Sequence, residues 1–464
     1  MPLDVLILAA GLGTRMKSNT AKVLHKISGK PLISHVCRTA AALEPRKIVV
    51  VVGHQAELVE RAVNDELGAN RSEFAVQREQ LGTGHAVTSA RENFVDENST
   101  LMILSGDVPM IRAETLASLV QQHRTHRGRG ATGTILTVKL DDPNGYGRII
   151  RDDLGFFNRI VEQKDASDDE KRVKEINSGI YCFDTQKLFA ALKQVSNDNR
   201  QNEYYLTDVP RILREAGEDI SLYLHYDNRE VSGINNREEL TDLEKTVRRR
   251  VNSRLMRDYG VTLIDAKHTY ISDEAQIGRD TIIFPNVTIE GKTIVGDGCE
   301  IRSGVRLTNA KIGNGVNILD NSLIIDSEVS DGCTIGPMAH LRNQAKLGEQ
   351  VKIGNFVEVK KSTLKRNAKA SHLTYLGDAT IGENTNIGAG TITCNYDGKN
   401  KHQTIIGDNV KIGSDTMLVA PLNVGDNAVT GAGSVVTKDI EQNTLVAGVP
   451  AKLIKLINQE NSNK

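Results

Sequence analysis

The 464-residue chain has no tryptophan, and aromatic residues make up only 4% of it. Whatever cores it builds must therefore be filled by aliphatic side chains. Its five cysteines, Cys37, Cys182, Cys299, Cys333 and Cys394, are scattered without CxxC spacing. Neither a disulfide frame nor a zinc knuckle is implied, and free thiols fit a reducing interior. Charge of one sign is also lacking: 58 Lys and Arg stand against 59 Asp and Glu, a net of −1, which argues against a dedicated binder of nucleic acid or anionic membrane. Apolar runs such as Val49 to Val52 fall far short of the roughly 20 residues of a membrane helix. The start, Met1-Pro2-Leu3-Asp4-Val5, lacks the cationic stretch and small-residue cleavage site of a signal peptide. The expectation is a soluble, cytoplasmic protein of two to three domains.

Composition shifts near residue 260. The first 260 residues hold 18 Gly and 13 aromatics, the last 204 hold 22 Gly and 5 aromatics. In the first part, buried-strand runs (Val5 to Leu8, Ile48 to Val52, Leu101 to Leu104) alternate with helical patterns over Pro31 to Leu43 and Leu58 to Leu67. This rhythm predicts a mostly parallel sheet covered on both faces, with ligands at the carboxyl ends of its strands. The Gly11 loop and Asp107 belong at those ends. From Arg237 to Tyr259, Leu240, Leu243, Val247, Val251 and Leu255 share one helical stripe, and Arg248-Arg249-Arg250 reads as a solvated face of that connecting helix. The domains expected are residues 1–236, a linker helix 237–260, a repeat domain 261–457 and a polar, disordered tail 458–464.

After Gly260, aliphatic residues recur every six positions: Ile277, Ile283, Ile289, Val295, Ile301, Leu307, then Val329 to Val359, then Ile406 to Val436. A six-residue period fits neither an α-helix nor a heptad coil. It fits a coiled parallel β-structure in which each flat segment points one aliphatic into a thin core. The rhythm breaks at Lys365 to Asp378, which holds Ser371-His372-Leu373-Thr374-Tyr375, and at Thr393 to Gln403, which holds Cys394-Asn395-Tyr396-Asp397-Gly398. Interruptions of a solenoid are expected to be loops on its binding face. The repeats resemble the hexapeptide-repeat acyltransferases, and the resemblance implies a left-handed parallel β-helix.

In the first domain LAAGLGTRM follows a buried strand, with Lys22 shortly after. The glycines allow a tight turn whose N–H groups face an anion. Met16 stands where a dinucleotide fingerprint needs a third Gly, and no Gly-Lys-Ser/Thr of a Walker loop is present. LAAGLGTRM with AKVLH, QREQLGTGHA and SGDVP is similar to the sugar-phosphate nucleotidyltransferases, whose fold is a Rossmann-like α/β domain. Together with the hexads, the chain resembles the bacterial bifunctional N-acetylglucosamine-1-phosphate uridyltransferase / glucosamine-1-phosphate acetyltransferase family from Leu3 to about Val436.

For the first domain the resemblance implies that Leu8, Ala9, Gly11, Arg15 and Lys22 hold the phosphates of UTP, and that Gln77, Gly82 and Thr83 read the uracil. It implies Mg²⁺ on Asp107 and Asn235, and Gly147, Glu162 and Asn177 on the sugar. A sugar phosphate is already an anionic nucleophile, so positioning and charge neutralisation suffice.

For the second domain it implies His372 as the base that takes a proton from the 2-amino group of glucosamine 1-phosphate. Arg342, Lys360, Tyr375 and Asn386 would hold that sugar phosphate, and Ala389, Asn395, Tyr396, Ser414 and Ala432 would line the acetyl-CoA groove. The family's C-terminal Arg on the CoA phosphates is replaced here by Gly448, with Lys438 or Lys452 as possible substitutes. The partners implied are the small-molecule substrates and further copies of the chain in a homotrimer, with no nucleic acid or membrane. The product, UDP-N-acetylglucosamine, would feed peptidoglycan and lipopolysaccharide synthesis. The alternative is a monofunctional nucleotidyltransferase with a purely oligomerising β-helix. A covalent thiol route through Cys394 is the alternative within the acetyl half. His340 and His402 carry no assigned role, and His123 and His126 read as an exposed basic loop.

Overall fold

The runs Val5 to Leu8 and Ile48 to Val52 lack polar alternation, as strands buried on both faces do. In the computed structural model, which describes residues 1–94 and 98–457, these runs feed two cores. Val5, Ile7, Ile48, Val50 and Val52 enter one, and Leu6, Val49 and Val51 enter the other. The expected tail, 458–464, lies outside the described residues.

Two compact units divide the chain, Met1–Glu244 and Lys245–Lys464. In the first, the sheet runs in the order Ile220–His225, Gly133–Lys139, Glu175–Asp184, Thr100–Ser105, Leu3–Leu8, Lys47–Val52, Glu73–Val76. Neighbours are parallel except Glu175–Asp184, which is antiparallel to both strands beside it. The sheet is therefore mixed, with a hairpin, Arg148–Arg151 and Phe157–Val161, attached to the antiparallel strand. The unit extends to Glu244, whose carboxylate accepts the Ser28 N–H at 2.8 Å.

His123 does not belong to an exposed loop. It lies on the helix Ala113–Thr125, is buried, and meets the Thr134 hydroxyl at 3.0 Å through Nδ1. The neighbouring Arg124, His126 and Arg127 disguise a core position in the sequence.

In the second unit, every residue of the three six-step series is buried, from Ile277 and Ile283 through Leu347 and Ile353 to Thr430 and Val436. Parallel pairing stacks one coil on the next, with Ile277 beside Val295 and Ile283 beside Ile301. Between Leu307 and Val329 the sequence pattern lapses because two corners, one after Leu307 and one after Ile324, are each a residue short. Ile312, Ile318 and Ile324 then carry the core in a shifted phase.

The first expected interruption is not a loop. Lys369–Gly377 is a nine-residue strand within the stack, pairing with Lys352–Lys360. Small Ala370 and polar Thr374 take inward positions there, which hides the period. The second interruption does leave the stack: Ile381 pairs with Ile406, 25 residues on, where 17 is usual in this part of the chain. The helix Arg237–Asp258 buries Val251 and Leu255 in the second core, and Asn252 Nδ2 donates to the Ala266 and Thr269 carbonyls. No helix among the described residues is long and apolar enough to cross a membrane.

Candidate active sites

In the first unit, Leu3–Leu8 and Thr100–Ser105 run parallel and adjacent, so the loops at their carboxyl ends meet. The Gly106 N–H donates to the Leu8 carbonyl at 2.9 Å. A cavity of about 360 Å³ opens there, lined by Leu8, Ala9, Gly11, Arg15, Lys22, Gln77, Gly82, Thr83 and Asp107. Sequence reasoning named all nine. Gln80 and Glu203 also line it and were missed.

Two glycines of the loop differ in kind. Gly13 has φ +64, and a Cβ there would stand 2.6 Å from the Lys22 Cβ, so the Lys22 side chain passes only because that atom is absent. A Cβ on Gly11 would have nothing within 4 Å. The space beside Gly11 is part of the cavity, and packing of the fold does not demand a glycine there.

The Lys22 ammonium hydrogen-bonds Asp107 Oδ2 and, at 3.0 Å, Asn235 Oδ1. Asn235 is held by the capping of the helix Arg237–Asp258. Its N–H donates to Glu239 Oε2 at 2.7 Å, the Asn236 amide donates to Glu239 Oε1 at 2.7 Å, and the Glu239 N–H returns to Asn236 Oδ1 at 2.9 Å. One carboxylate oxygen and one amide oxygen thus converge on a cation, a donor set suited to Mg²⁺, which takes few protein ligands and completes its shell with phosphate oxygens and water.

Buried Gln77 spends its amide N–H groups on the Gly82 carbonyl and His85 Nδ1, both at 3.1 Å, and its side chain lines the cavity. Gly147, Glu162 and Asn177 form a second cluster. The Asn177 N–H donates to the Gly147 carbonyl at 2.9 Å, and Glu162 Oε1 accepts the Thr207 hydroxyl at 3.2 Å. Burial, with Asp165, Asp208 and Glu203 nearby, pushes the Glu162 carboxyl above its ordinary range. Thr83 ties this cluster to the cavity by accepting the Leu206 N–H at 3.1 Å.

In the second unit the stacking register sets the groups side by side. Asn355 lies opposite His372, Glu358 opposite Tyr375, and Arg342 opposite Lys360. Exposed His372 meets Asn355 Oδ1 at 2.7 Å through Nδ1. Since that oxygen only accepts, Nδ1 is the donor of this pair, and in the neutral ring the lone pair lies on Nε2. A Cβ on Gly354 would fall 1.9 Å from the Ser371 carbonyl oxygen, so glycine is required for the two coils to approach here. Asn355 was missed by sequence reasoning, although it stands 17 residues, one coil, before His372.

Arg342 Nε donates to Glu358 at 2.6 Å. The Lys401 ammonium beside Lys360 holds the Lys360 amine below its ordinary value, burial and Arg342 add to the effect, and Asp378 opposes it, so two ammonium groups stand together at this edge of the coil. Lys401, another residue that sequence reasoning passed over, comes from the second interruption. Asn386 begins the strand Asn386–Ile387 and pairs with Lys369.

Ala389, Ser414 and Ala432 form a column down one corner of successive coils: the Asp415 N–H donates to the Ala389 carbonyl at 2.6 Å and the Gly433 N–H to the Ser414 carbonyl at 2.8 Å. Buried Asn395 donates to Asp378 at 2.7 Å, while Tyr396 stands exposed with its hydroxyl on the Gly398 carbonyl. His402 meets Asp397 at 2.6 Å, giving it a role in shaping this loop. The Asp397 carboxyl is held down to about 2 by the Asn400 N–H, then by His402 and the Lys399 N–H. Gly448 donates its N–H to Ser434 Oγ, and Lys452 sits opposite Ala447 on the last strand pair. Burial pushes the Cys394 thiol up, away from the thiolate that a covalent route needs.

Fold and sites define a two-centre transferase, a nucleotidyl transferase joined to a hexapeptide-repeat left-handed β-helix. Residues 4–228 match the nucleotidyl transferase family, residues 266–357 the GMPPB C-terminal domain, and residues 403–438 the bacterial transferase hexapeptide in six repeats. The chain belongs to the family of the Bifunctional protein GlmU. It is 48% identical to the protein of that name from Heliobacterium modesticaldum over 95% of this chain and 94% of that one. Identity to the Geotalea uraniireducens protein is 49% over 96% and 95%, and to that of Listeria monocytogenes 47% over 95% and 94%. Relatives called bifunctional thus match over nearly their whole length, and both modules are present, which favours two activities over the monofunctional alternative.

Proposed function

We propose that the chain makes UDP-N-acetylglucosamine in two steps: residues 261–457 transfer acetyl from acetyl-CoA to glucosamine 1-phosphate, and residues 1–236 then join the product to UTP. The observation that carries this reading is that each unit holds its own reactive cluster, a cation-lined cavity in the first and a tethered imidazole with a free Nε2 in the second.

In the acetyl half, His372 Nε2 takes a proton from the 2-amino group as the nitrogen attacks the thioester carbonyl. The N–C bond forms, the C–S bond breaks, and the imidazolium returns the proton to the leaving CoA thiolate. Asn355 fixes the ring. Arg342, Lys360 and Lys401, with Tyr375 and Asn386, hold the sugar phosphate. Ala389, Ser414 and Ala432 line the acetyl-CoA groove with Asn395 and Tyr396, and Lys452 is the cation nearest the place of Gly448 in chain pairing.

In the uridyl half, a phosphate oxygen of the sugar 1-phosphate attacks the α-phosphorus of UTP and pyrophosphate leaves, with no proton to move. Leu8, Ala9 and Gly11 offer backbone groups to the phosphates, Arg15 and Lys22 neutralise them, Gln77, Gly82 and Thr83 orient the uracil, and Gly147, Glu162 and Asn177 hold the sugar. Mg²⁺, when bound to Asp107 and Asn235, supplies charge neutralisation at the phosphates. The neutral composition and five free thiols support a cytoplasmic setting. Exposed Leu453, Ile454 and Leu456 on the last strand support assembly of the β-helix into a homotrimer.

The test incubates the purified protein with glucosamine 1-phosphate, acetyl-CoA, UTP and Mg²⁺. UDP-N-acetylglucosamine, free CoA and pyrophosphate are expected in equal amounts. Pyrophosphate release from UTP and N-acetylglucosamine 1-phosphate without any acetyl transfer would refute the two-activity reading.

A further inference from the structure

The Lys22 ammonium occupies the gap between Asp107 Oδ2 and Asn235 Oδ1, bonded to both. Those two oxygens arrive from separate elements, one from the loop after Thr100–Ser105, the other from the cap of the helix Arg237–Asp258. The lysine does not reach them by a loose swing. Its Cβ passes against Gly13, where any side chain would collide, and both side chains of the Lys22–Asp107 pair are largely withdrawn from water, 15% and 21% exposed.

Under the function proposed above, the same pair of oxygens holds Mg²⁺. A divalent cation and an ammonium cannot share one gap a few ångströms wide, because their mutual repulsion grows as water is excluded. One must leave when the other enters. The lysine has somewhere to go, since Gly11, Thr14 and Arg15 line the same cavity on the side expected to take the triphosphate.

We propose that Lys22 is an exchange latch. In the nucleotide-free enzyme its ammonium closes the metal site, and the arriving triphosphate draws it off Asp107 and Asn235, so that metal and nucleotide bind cooperatively through one shared side chain. The protein alone then binds divalent metal weakly, and the site is assembled in full only when there are phosphates to act on. Two ligands that compete for and release a single group are coupled by the free energy of that exchange.

The test uses the full chain, without nucleotide, and follows bound Mn²⁺ by loss of the free-ion EPR signal. Lys22→Met keeps the length of the side chain and removes its charge. It is expected to bind Mn²⁺ about tenfold more tightly than the wild type, and Lys22→Met with Asp107→Asn is expected to lose that gain. Arg15→Met removes a cation from the same cavity that bonds neither Asp107 nor Asn235, and is expected to change affinity by less than about threefold. Equal Mn²⁺ affinity in wild type and Lys22→Met, abolished in both by Asp107→Asn, overturns the latch and leaves the metal site standing. A gain in Arg15→Met as large as that in Lys22→Met overturns it as well, by reducing it to general charge. Binding that Asp107→Asn does not touch overturns the metal site and the latch together.

Discussion

Gly11 and Gly13 stand two positions apart in one loop and serve different masters. Gly13→Ala places a side chain at φ +64 and against Lys22, so a loss of about 1–2 kcal/mol in stability is expected from the backbone alone. Gly11→Ala meets open space, so its melting temperature is expected to stay near that of the wild type while the KM for UTP rises about tenfold as the methyl obstructs the phosphates. Thermal denaturation beside steady-state kinetics separates the two. In the other unit, Asn355→Ala frees the His372 ring, and kcat for acetyl transfer is expected to fall about tenfold or more, with the KM for acetyl-CoA little changed. The motif loop was legible because its glycines and cations lie within a dozen residues. Asn355 and Lys401 were not, because their partners are a coil away and only the stacking brings them close.

Among the elements, the helix Ala113–Thr125 carries a pH dependence. Burial pushes the His123 imidazole from 6.5 down to about 4. The unfolded chain therefore takes up a proton that the folded one refuses, so stability is full above pH 6.5 and is lost as pH falls toward 4. The loss reaches about 3 kcal/mol at most. In His123→Gln the urea midpoint is expected to stay flatter across that range, and a wild-type midpoint already flat from pH 7 to 4 would contradict the assignment. The β-helix was legible wherever each coil spent an Ile, Leu or Val inward. It vanished from the sequence where two corners lost a residue each, after Leu307 and after Ile324, and where Ala370 and Thr374 faced the core, so that a regular strand resembled a break. The antiparallel strand Glu175–Asp184 was equally hidden, since a fully buried strand carries no sign of its direction.

At the scale of the molecule, the two centres belong to separate compact units. Asp107→Asn is expected to abolish uridyl transfer and leave acetyl transfer within about twofold, and His372→Ala to do the reverse, by 10² or more in each case. Parallel assays for pyrophosphate and free CoA on both variants decide this, and a single change that removed both activities would mean one shared centre. The longer coil between Ile381 and Ile406 has a consequence of a different order. Its 25 residues, against the usual 17, leave Ile381 and Ile406 in register with each other and with the rungs beyond. A scaffold whose every rung closes on its immediate neighbours confines the cost of a detour to the place where it occurs. Reactive segments of such an architecture are open to lengthening, shortening or exchange by evolution or by design, with the remaining turns left indifferent to the graft.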